Sequence, residues 1–435
     1  MKPNRLPRFL GVALVFVVVL LSLAAGILGG EARTIAAASV FAGSYLALAI
    51  GRVPGLSIDR AGIALVGAGL TVASGVLSLE DAYRAVDFGT ITLLLGMMIV
   101  VANLRLSGFF AVATDWVLAR ATGPYVLLAA IVAISGLFSA FLVNDAICLV
   151  LTPLVLQMAL ATGRNPVPYL LAVAMASNVG STATITGNPQ NIMIGSLSQI
   201  PYGRFALTLG PVALTGLVLT AALIALVHRR DFAEDGHKPV PRPRPQANRA
   251  LLFRALAATA ILIALFFAGV APAKAAIIIG GLLLLTRRVK SRRIYQEIDW
   301  SLLLMFVGLF VIVAGAERAL LPPERVAALG RLGLDRVPVL ASVTAILSNL
   351  VSNVPAVLML KPVVLTLGNR DTAWLVMAMA STLAGNFTVL GSIANLIVVQ
   401  RAAQSGVAIG FWDYFRVGAP LTLVTLAIGT AWLSL

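Results

Sequence analysis

Long apolar stretches separated by short polar connections fill most of the chain. A helix needs roughly 20 apolar residues to cross the hydrocarbon core of a membrane. The first stretch, 9–29, is longer than the apolar region of a signal peptide, so we interpret it as a retained transmembrane helix. The pattern predicts an all-α polytopic membrane protein. Spans are predicted at 9–29, 34–51, 61–79, 86–104, 205–227, 251–270, 298–316 and 415–434, with a shorter one at 272–286.

Two long apolar regions, 123–199 and 337–400, are interrupted by clusters of Pro, Gly and Asn. Backbone polar groups are expensive to expose to lipid, so irregular backbone is tolerated only inside protein or beside a water-filled cavity. We therefore expect each region to hold a re-entrant hairpin followed by a broken helix, which gives about 11 transmembrane helices in total. Residues 109–120 and 322–335 are predicted to form interfacial helices before the two hairpins.

The two halves of the chain repeat one another in the same order. Since each half contains an odd number of predicted crossings, we expect the second copy to be inserted upside down relative to the first. The segment VDFGTITLLLGMMIVVAN matches IDWSLLLMFVGLFVIVAG, VNDAICLVLTPLVL (143–156) matches SNVPAVLMLKPVVL (352–365), and TATITGNPQNIMI (182–194) matches NFTVLGSIANLIV (386–398). The predicted organisation is an N-terminal helix (1–33), a first inverted repeat (34–228), a cytoplasmic linker (229–250) and a second inverted repeat (251–435).

The composition supports lipid as the main solvent of the chain. Hydrophobic residues make up 60% and charged residues 11%, with a mean hydropathy of +0.98, whereas about a quarter of a soluble domain is charged. The net charge of +15 comes from short connections, densest at 229–254 and 287–293. Basic loops of this kind mark the cytoplasmic side, and they argue against nucleic-acid binding. We expect a multi-pass protein of the inner (plasma) membrane, surrounded by lipid, with a cytoplasmic N-terminus.

The sequence contains no constellation of residues suited to catalysis or to a resident metal. Cys148 is the only cysteine, and the two histidines, His228 and His237, flank a polar loop. Neither pattern supports zinc chemistry or a disulfide. We therefore predict that the protein is not an enzyme, has no catalytic residues and needs no cofactor other than H+ or Na+ as a coupling ion.

The interruptions predict where a ligand binds. Asn is a favoured N-cap and Pro is favoured at the first helical position, so Asn188 and Pro189 predict the start of a half-helix. Ser392 can cap the equivalent half-helix. Asn144 or Asp145 can cap the arm of the first hairpin, and Ser352 or Asn353 that of the second. Four helix starts would then present free N–H groups to an anion or polar oxygen. The predicted substrate-binding residues are Asn144, Asp145, Ser177, Asn178, Thr182, Thr184, Gly187, Asn188, Asn191, Ser352, Asn353, Asn386, Thr388, Gly391, Ser392 and Asn395.

Charged residues within the interrupted regions leave alternatives open. Asp145 is either an N-cap or a group that binds a proton or cation, because an intramembrane carboxylate is a functional hypothesis by default. Lys361 occupies the position of Thr152 in the other copy, and it either snorkels to the surface or neutralises an anion. A Na+ ion near Asn144 and Asn353 is a further hypothesis.

At these motifs the chain resembles the ion transporter superfamily, which includes arsenite permeases, sodium–proton antiporters of the NhaD type, citrate transporters and divalent-anion/sodium symporters. The matching segments are VNDAICLVLTP, SNVGSTATITGNPQN, SNVPAVLMLKP and AGNFTVLGSIANL. The resemblance implies a site built from two hairpins and two broken helices, elevator-type movement and a homodimer. Neither hairpin tip has the intact Ser-Asn-Thr triplet of the divalent-anion symporters, which argues against sodium-coupled dicarboxylate transport.

These observations predict a secondary active transporter of a small inorganic or organic anion or oxyanion, coupled to H+ or Na+. The alternatives are a Na+/H+ antiporter and an arsenite efflux permease. A channel is less consistent with the pattern, because symmetric half-helices and hairpins suit occlusion and alternating access.

Overall fold

A computed structural model describes residue 24 and the ranges 31–50, 56–118, 123–233, 247–285, 289–320 and 332–435. Apart from residue 24, the predicted first helix, 9–29, lies outside these residues, and so does most of the predicted linker. The described chain is helical, and two 3-10 turns interrupt it at Ile185–Gly187 and Val389–Gly391. Its helices are α1 (Glu31–Ile50), α2 (Arg60–Ala73), α3 (Leu79–Ala85), α4 (Phe88–Ser107), α5 (Phe109–Leu118), α6 (Pro124–Phe141), α7 (Asn144–Ala161), α8 (Val167–Ser181), α9 (Pro189–Ser198), α10 (Tyr202–Val227), α11 (Arg229–Ala233), α12 (Arg249–Phe267), α13 (Pro272–Leu284), α14 (Ser291–Tyr295), α15 (Trp300–Leu320), α16 (Val337–Val351), α17 (Asn353–Val364), α18 (Arg370–Ala384), α19 (Ile393–Gln404) and α20 (Phe411–Ser434).

Eight helices within the described residues are long and apolar enough to cross a membrane. They are α1, α4, α6, α7, α10, α12, α15 and α20. Helices α2, α8, α13, α16 and α17 are apolar but shorter. The prediction of an all-α polytopic membrane protein is confirmed.

One predicted span differs from the structure, and one predicted helix lies mostly outside the described residues. The span predicted at 61–79 ends at Ala73, because the chain turns at Gly75 with a φ of +68°, a conformation that glycine adopts without steric strain. Most of the interfacial helix predicted at 322–335 lies outside the described residues, and 332–335 is irregular. The helix predicted before the first hairpin is α5.

The first of two helical bundles is called the scaffold bundle here, and its main helices are α1, α2, α4, α12, α13 and α15. Helix α2 of the first repeat packs along α15 of the second. Its counterpart in the second repeat, α13, packs along α4 of the first. A Cβ at Gly96 would lie 2.5 Å from the carbonyl carbon of Ala276, and one at Gly308 would lie 2.5 Å from that of Ala64. The same close crossing therefore occurs twice. In one the glycine comes from the first repeat and the alanine from the second, and in the other the reverse holds, as a two-fold relation between the repeats requires.

The second bundle, called the core bundle, contains α6 to α10 from the first repeat and α16 to α20 from the second. Helix α6 packs along α8 and α16 packs along α18, and the last helix of each repeat, α10 or α20, packs on the other. Contacts between the two bundles include α9 with α4, α17 with α15 and α16 with α1. The packing thus divides the described chain into two bundles, each built from both repeats.

Each repeat folds part of its interrupted region into a helical hairpin. Helices α6 and α7 form the first hairpin, and α16 and α17 form the second, which turns at Ser352. The turns of both hairpins reach one cavity, while α7 packs on α19 and α17 packs on α9 of the other repeat. Hairpins that meet at their tips enter from opposite sides, which is the arrangement of inverted repeats.

Lys361 on α17 pairs with a carboxylate of the scaffold bundle. Its Nζ lies 3.3 Å from Oε1 of Glu317 on α15, and both side chains are about a quarter exposed, at 26% and 29%. The ion pair therefore joins the core bundle to the scaffold bundle.

Candidate functional site

The broken helices form as the Asn, Gly and Pro positions predict. Helix α8 ends at Ser181, and α9 begins at Pro189 after a 3-10 turn. In the second repeat α18 ends at Ala384, and α19 begins at Ile393 after the equivalent turn. In both breaks the backbone is extended on either side of the turn. Its polar groups are therefore freed inside the protein rather than in lipid.

Asn191 and Asn395 satisfy the carbonyl groups that each break frees. Nδ2 of Asn191 donates to the carbonyl oxygens of Ser181, at 3.0 Å, and Thr184, at 3.1 Å. In the second repeat Nδ2 of Asn395 donates to the carbonyl oxygens of Gly385, at 2.7 Å, and Thr388, at 3.2 Å. A helix end leaves its last carbonyls without intrahelical partners, so these amides stabilise the interruption itself.

The second half-helices are capped by the side chains that the sequence predicts. Oδ1 of Asn188 accepts from the Asn191 N–H at 2.8 Å, and the Ser392 hydroxyl accepts from the Ala394 N–H at 3.2 Å. Gly187 precedes the first cap, and any Cβ there would overlap the Ser181 backbone. This glycine is therefore required by close backbone approach.

Gly391 has the corresponding role in the second repeat. A Cβ at this position would lie 2.8 Å from the carbonyl oxygen of Gly385. Both predicted site glycines therefore serve the geometry of the break, because a side chain would push the turn away from the end of the first half-helix.

A polar network crosses from each first half-helix to the other repeat. Asn178 on α8 donates to Oδ1 of Asn386, at 2.8 Å, and of Asn395, at 2.9 Å. Its own Oδ1 accepts from Asn144, at 3.1 Å, and from Ser392, at 3.1 Å. Asn178 is only 2% exposed, so one buried amide joins the first hairpin to the broken helix of the second repeat.

Thr382 occupies the equivalent position on α18 and makes the reciprocal contacts. Its hydroxyl accepts from Nδ2 of Asn188, at 3.0 Å, and from Nε2 of Gln190, at 3.2 Å. Asn188 Nδ2 also donates to the Ser181 hydroxyl at 2.9 Å. The broken helices of the two repeats are thus held together by two related sets of hydrogen bonds.

The predicted side-chain caps of the hairpin arms are wrong. Helix α7 begins at Asn144 and α17 at Asn353, and neither start has a side-chain cap. The Asn144 amide bonds Asn178 instead, and Oδ1 of Asn353 accepts from the Ser348 hydroxyl at 2.5 Å. In both hairpins another side chain, Asn178 on α8 or Ser348 within the same hairpin, takes the place of the backbone cap.

The second hairpin tip is also strained. Ser352 has a φ of +79° and a ψ of 159°, a region of backbone conformation that is essentially restricted to glycine. Such strain persists only where the surrounding structure imposes it, and it is concentrated at functional sites.

A cavity of about 40 Å³ lies where the hairpin tips and the second half-helices meet, and we call it the central cavity. One water needs about 10–15 Å³ by the same measure, so the cavity holds about three. The core bundle contributes most of its polar wall, and the scaffold bundle contributes Leu48, Arg60, Leu302 and Met305. The central cavity therefore lies between the bundles and receives residues from both repeats.

Five of the predicted site residues line the central cavity: Asn144, Asp145, Ser352, Asn353 and Ser392. The others form the network and the turns around it: Ser177, Asn178, Thr182, Thr184, Gly187, Asn188, Asn191, Asn386, Thr388, Gly391 and Asn395. Ser177, for example, lies 2.9 Å from the Cys148 thiol. These surrounding residues support the cavity wall.

Sequence reasoning missed two polar residues of the cavity lining. Gln190 follows the proline at the start of α9, and its place inside the GNPQN motif could have identified it. Arg60 begins α2, far from either interrupted region, and nothing in the sequence motifs points to it.

Asp145 separates the central cavity from a second one of about 120 Å³. Arg105, Glu297 and Asp299 also line this second cavity. Arg105 and Glu297 pair at 2.5 Å, and Asp299 caps α15 by accepting from the Leu302 N–H at 3.0 Å. Within the described chain the Asp145 carboxylate has neither a hydrogen bond nor an ion pair. Such a carboxylate is suited to binding a proton or a small cation.

Apolar spans, paired hairpins and broken helices around a shared cavity define a membrane transporter. Comparison with known sequences places the chain more closely: it belongs to the citrate transporter family, CitMHS, whose pattern it matches over residues 45–384.

Similar proteins share nearly the full length of the chain. The uncharacterized transporter Rv2684 of Mycobacterium tuberculosis is 27% identical over 92% of this chain and 98% of its own. The silicon efflux transporter LSI3 of Oryza sativa subsp. japonica is 28% identical over 87% of this chain and 93% of its own. The crystal structure of the Alcanivorax borkumensis YdaH transporter has the same fold, with a TM-score of 0.52 and 16% identity over 98% of this chain and 97% of that one.

Proposed function

We propose that this transporter moves a small anion or oxyanion across the inner membrane by secondary active transport, coupled to H+ or Na+. The observation that carries the proposal is the central cavity, a polar space between the two bundles to which both repeats contribute. Substrate sites of inverted-repeat transporters lie at such repeat interfaces, formed by discontinuous helices.

The polar groups of the cavity suit an oxygen-rich ligand. Oδ1 of Asn144 has no hydrogen-bond partner although the residue is only 4% exposed. Nδ2 of Asn353 likewise has no partner among the described residues. A free acceptor and a free donor can bind the hydroxyl and the oxo group of an oxyacid. The starts of α9 and α19, at Pro189 and Ile393, add helix N-termini that favour negative charge.

The size of the cavity favours a small cargo. Room for about three waters accommodates a small inorganic oxyacid or oxyanion, whereas citrate would require the site to expand. The family is named for citrate and the rice relative for silicon efflux. Of these two kinds of cargo, the cavity volume supports the smaller one.

An elevator mechanism agrees with the division into bundles. The hairpins and broken helices belong to the core bundle, which contacts the scaffold bundle through separate patches such as α9 on α4 and α17 on α15. Movement of the core bundle past the scaffold would carry the cavity from one face to the other. We also propose that the protein forms a homodimer in the lipid bilayer, with its N-terminus in the cytoplasm.

Transport by purified protein in liposomes tests the proposal, with labelled phosphate, arsenite, silicate and citrate under an imposed H+ or Na+ gradient. We expect the wild type to accumulate a small oxyacid or oxyanion in preference to citrate. Asn353→Ala should raise the half-saturation concentration about tenfold, because it removes one cavity hydrogen bond to a bound oxygen.

Asn103→Ala is the matched control, since Asn103 is a buried asparagine on α4 that lies outside the central cavity. This variant should keep wild-type half-saturation. Exclusive transport of citrate, or an Asn353→Ala variant that behaves like Asn103→Ala, would contradict the proposed cargo site.

The unpaired Asp145 carboxylate also supports a second candidate, a Na+/H+ antiporter. In that case Na+ or Li+ should collapse a pH gradient across the vesicles, and Asp145→Asn should abolish the exchange. If Asp145→Asn exchanges at the wild-type rate, the antiporter hypothesis fails. If the variant transports an anion without gradient-driven accumulation, Asp145 is the coupling residue of the anion transporter.

A further inference from the structure

Arg60 is the polar residue that the scaffold bundle contributes to the central cavity. The other scaffold residues in the wall are Leu48, Leu302 and Met305. Arg60 is half-buried, and no hydrogen bond or ion pair involves it within the described chain. A cation that faces a cavity without a protein partner is available to a ligand, and guanidinium groups bind oxyanions through paired N–H donors.

The second repeat has no counterpart of this arginine. Ala64 and Ala276 occupy equivalent places at the two glycine crossings, so the residue that corresponds to Arg60 is Pro272, the first residue of α13. The positive charge therefore breaks the two-fold relation between the repeats. Arg60 follows the exposed Asp59, which caps the start of α2 at one face of the protein.

We propose that Arg60 is an anion contact that the ligand makes in only one of the two transport states. This inference rests on the proposed function and adds to it the charge of the substrate. The hairpin tips move with the core bundle, whereas Arg60 stays with the scaffold. When the core bundle moves, the bound anion leaves Arg60, and the equivalent position on the other side is Pro272, which carries no charge.

The asymmetry has a thermodynamic consequence. A group that contacts the ligand in one state binds it more tightly there and shifts the equilibrium toward that state. Arg60 therefore sets a higher affinity on the face where α2 begins, which is cytoplasmic in the predicted topology. It also favours an anion over an uncharged acid of the same shape.

Transport assays on right-side-out and inside-out membrane vesicles test this inference, with labelled phosphate as the anionic probe and arsenite as the uncharged one. For phosphate, Arg60→Gln should raise the half-saturation concentration about tenfold on the α2 face and leave it unchanged on the opposite face. Arg60→Lys should restore part of the loss, because it keeps the charge. Arg84→Gln is the control, since Arg84 pairs with Glu80 on the exposed helix α3.

The outcomes separate the two proposals. If wild-type vesicles transport neither probe while the protein is folded, the proposed oxyanion function fails. If phosphate is transported but Arg60→Gln changes both faces equally, or neither, the role of Arg60 is overturned while the function stands. Transport of arsenite alone, unaffected by Arg60→Gln, would likewise overturn the charge-based role.

Discussion

Replacing Asn178 by alanine tests the polar network that joins the two repeats. The side chain lies beneath the central cavity and makes four hydrogen bonds to other side chains, two as donor and two as acceptor. Three of those partners, Asn386, Ser392 and Asn395, belong to the second repeat. The substitution therefore removes contacts across the whole site with little change in apolar surface.

The expected loss of stability follows from the number of bonds. Hydrogen bonds inside membrane proteins contribute about 0.6 kcal/mol each on average, so four give about 2 kcal/mol. Groups left buried without a partner raise this figure, but some keep another contact: the Tyr414 hydroxyl still lies 3.4 Å from Oδ1 of Asn386. We expect Asn178→Ala to lower the free energy of unfolding by about 2–4 kcal/mol.

The measurement is the thermal midpoint of the purified protein in detergent, with liposome transport as the functional readout. Asn178→Ala should lower the midpoint by several degrees and reduce transport. Asn178→Thr, which copies the residue of the second repeat at this position, should be intermediate. Asn103→Ala is the control, because this buried amide makes one hydrogen bond, to the Ile99 carbonyl at 2.8 Å. An Asn178→Ala variant no less stable than Asn103→Ala would refute the network.

Two further predictions concern the packing of the bundles. Gly96→Ala and Gly308→Ala should each lower the free energy of unfolding by about 1–3 kcal/mol, since each places a methyl group on a helix backbone. Gly69→Ala, where no atom lies within 4 Å of the added carbon, should not lower the thermal midpoint, and equal midpoints for all three would contradict this packing. A double-mutant cycle on Lys361→Met and Glu317→Gln should give a coupling free energy of about 1 kcal/mol, and a value near zero would exclude the ion pair between the bundles.

Much of the candidate site could be predicted because the relevant signals are local. The Asn-Pro pair at 188–189 and the serine at 392 start half-helices through their own cap geometry, whatever surrounds them. The glycine and asparagine positions in the two breaks could be matched across the halves, since the repeats retain the same residue order. Local chemistry therefore located both interruptions to within a few residues.

The hairpin tips show where local reasoning stops. Asn144 and Asn353 stand at helix starts, and short polar side chains at such positions usually cap the backbone. In the folded chain Asn144 bonds Asn178, which is 34 residues away, and Asn353 bonds Ser348, which is 5 residues away in the same hairpin. The bond between Asn144 and Asn178 depends on how α7 packs against α8, so no short window of sequence contains it.

The sequence by itself determined the membrane environment, the repeated halves and the positions of the broken helices, because apolar length, residue order and capping all act within one segment. Only the tertiary structure decided which polar residues face the central cavity and which support it from behind. It also placed Arg60 in the cavity wall and paired Lys361 with Glu317. These outcomes depend on the docking of one bundle against the other, which brings together residues that lie far apart in the chain.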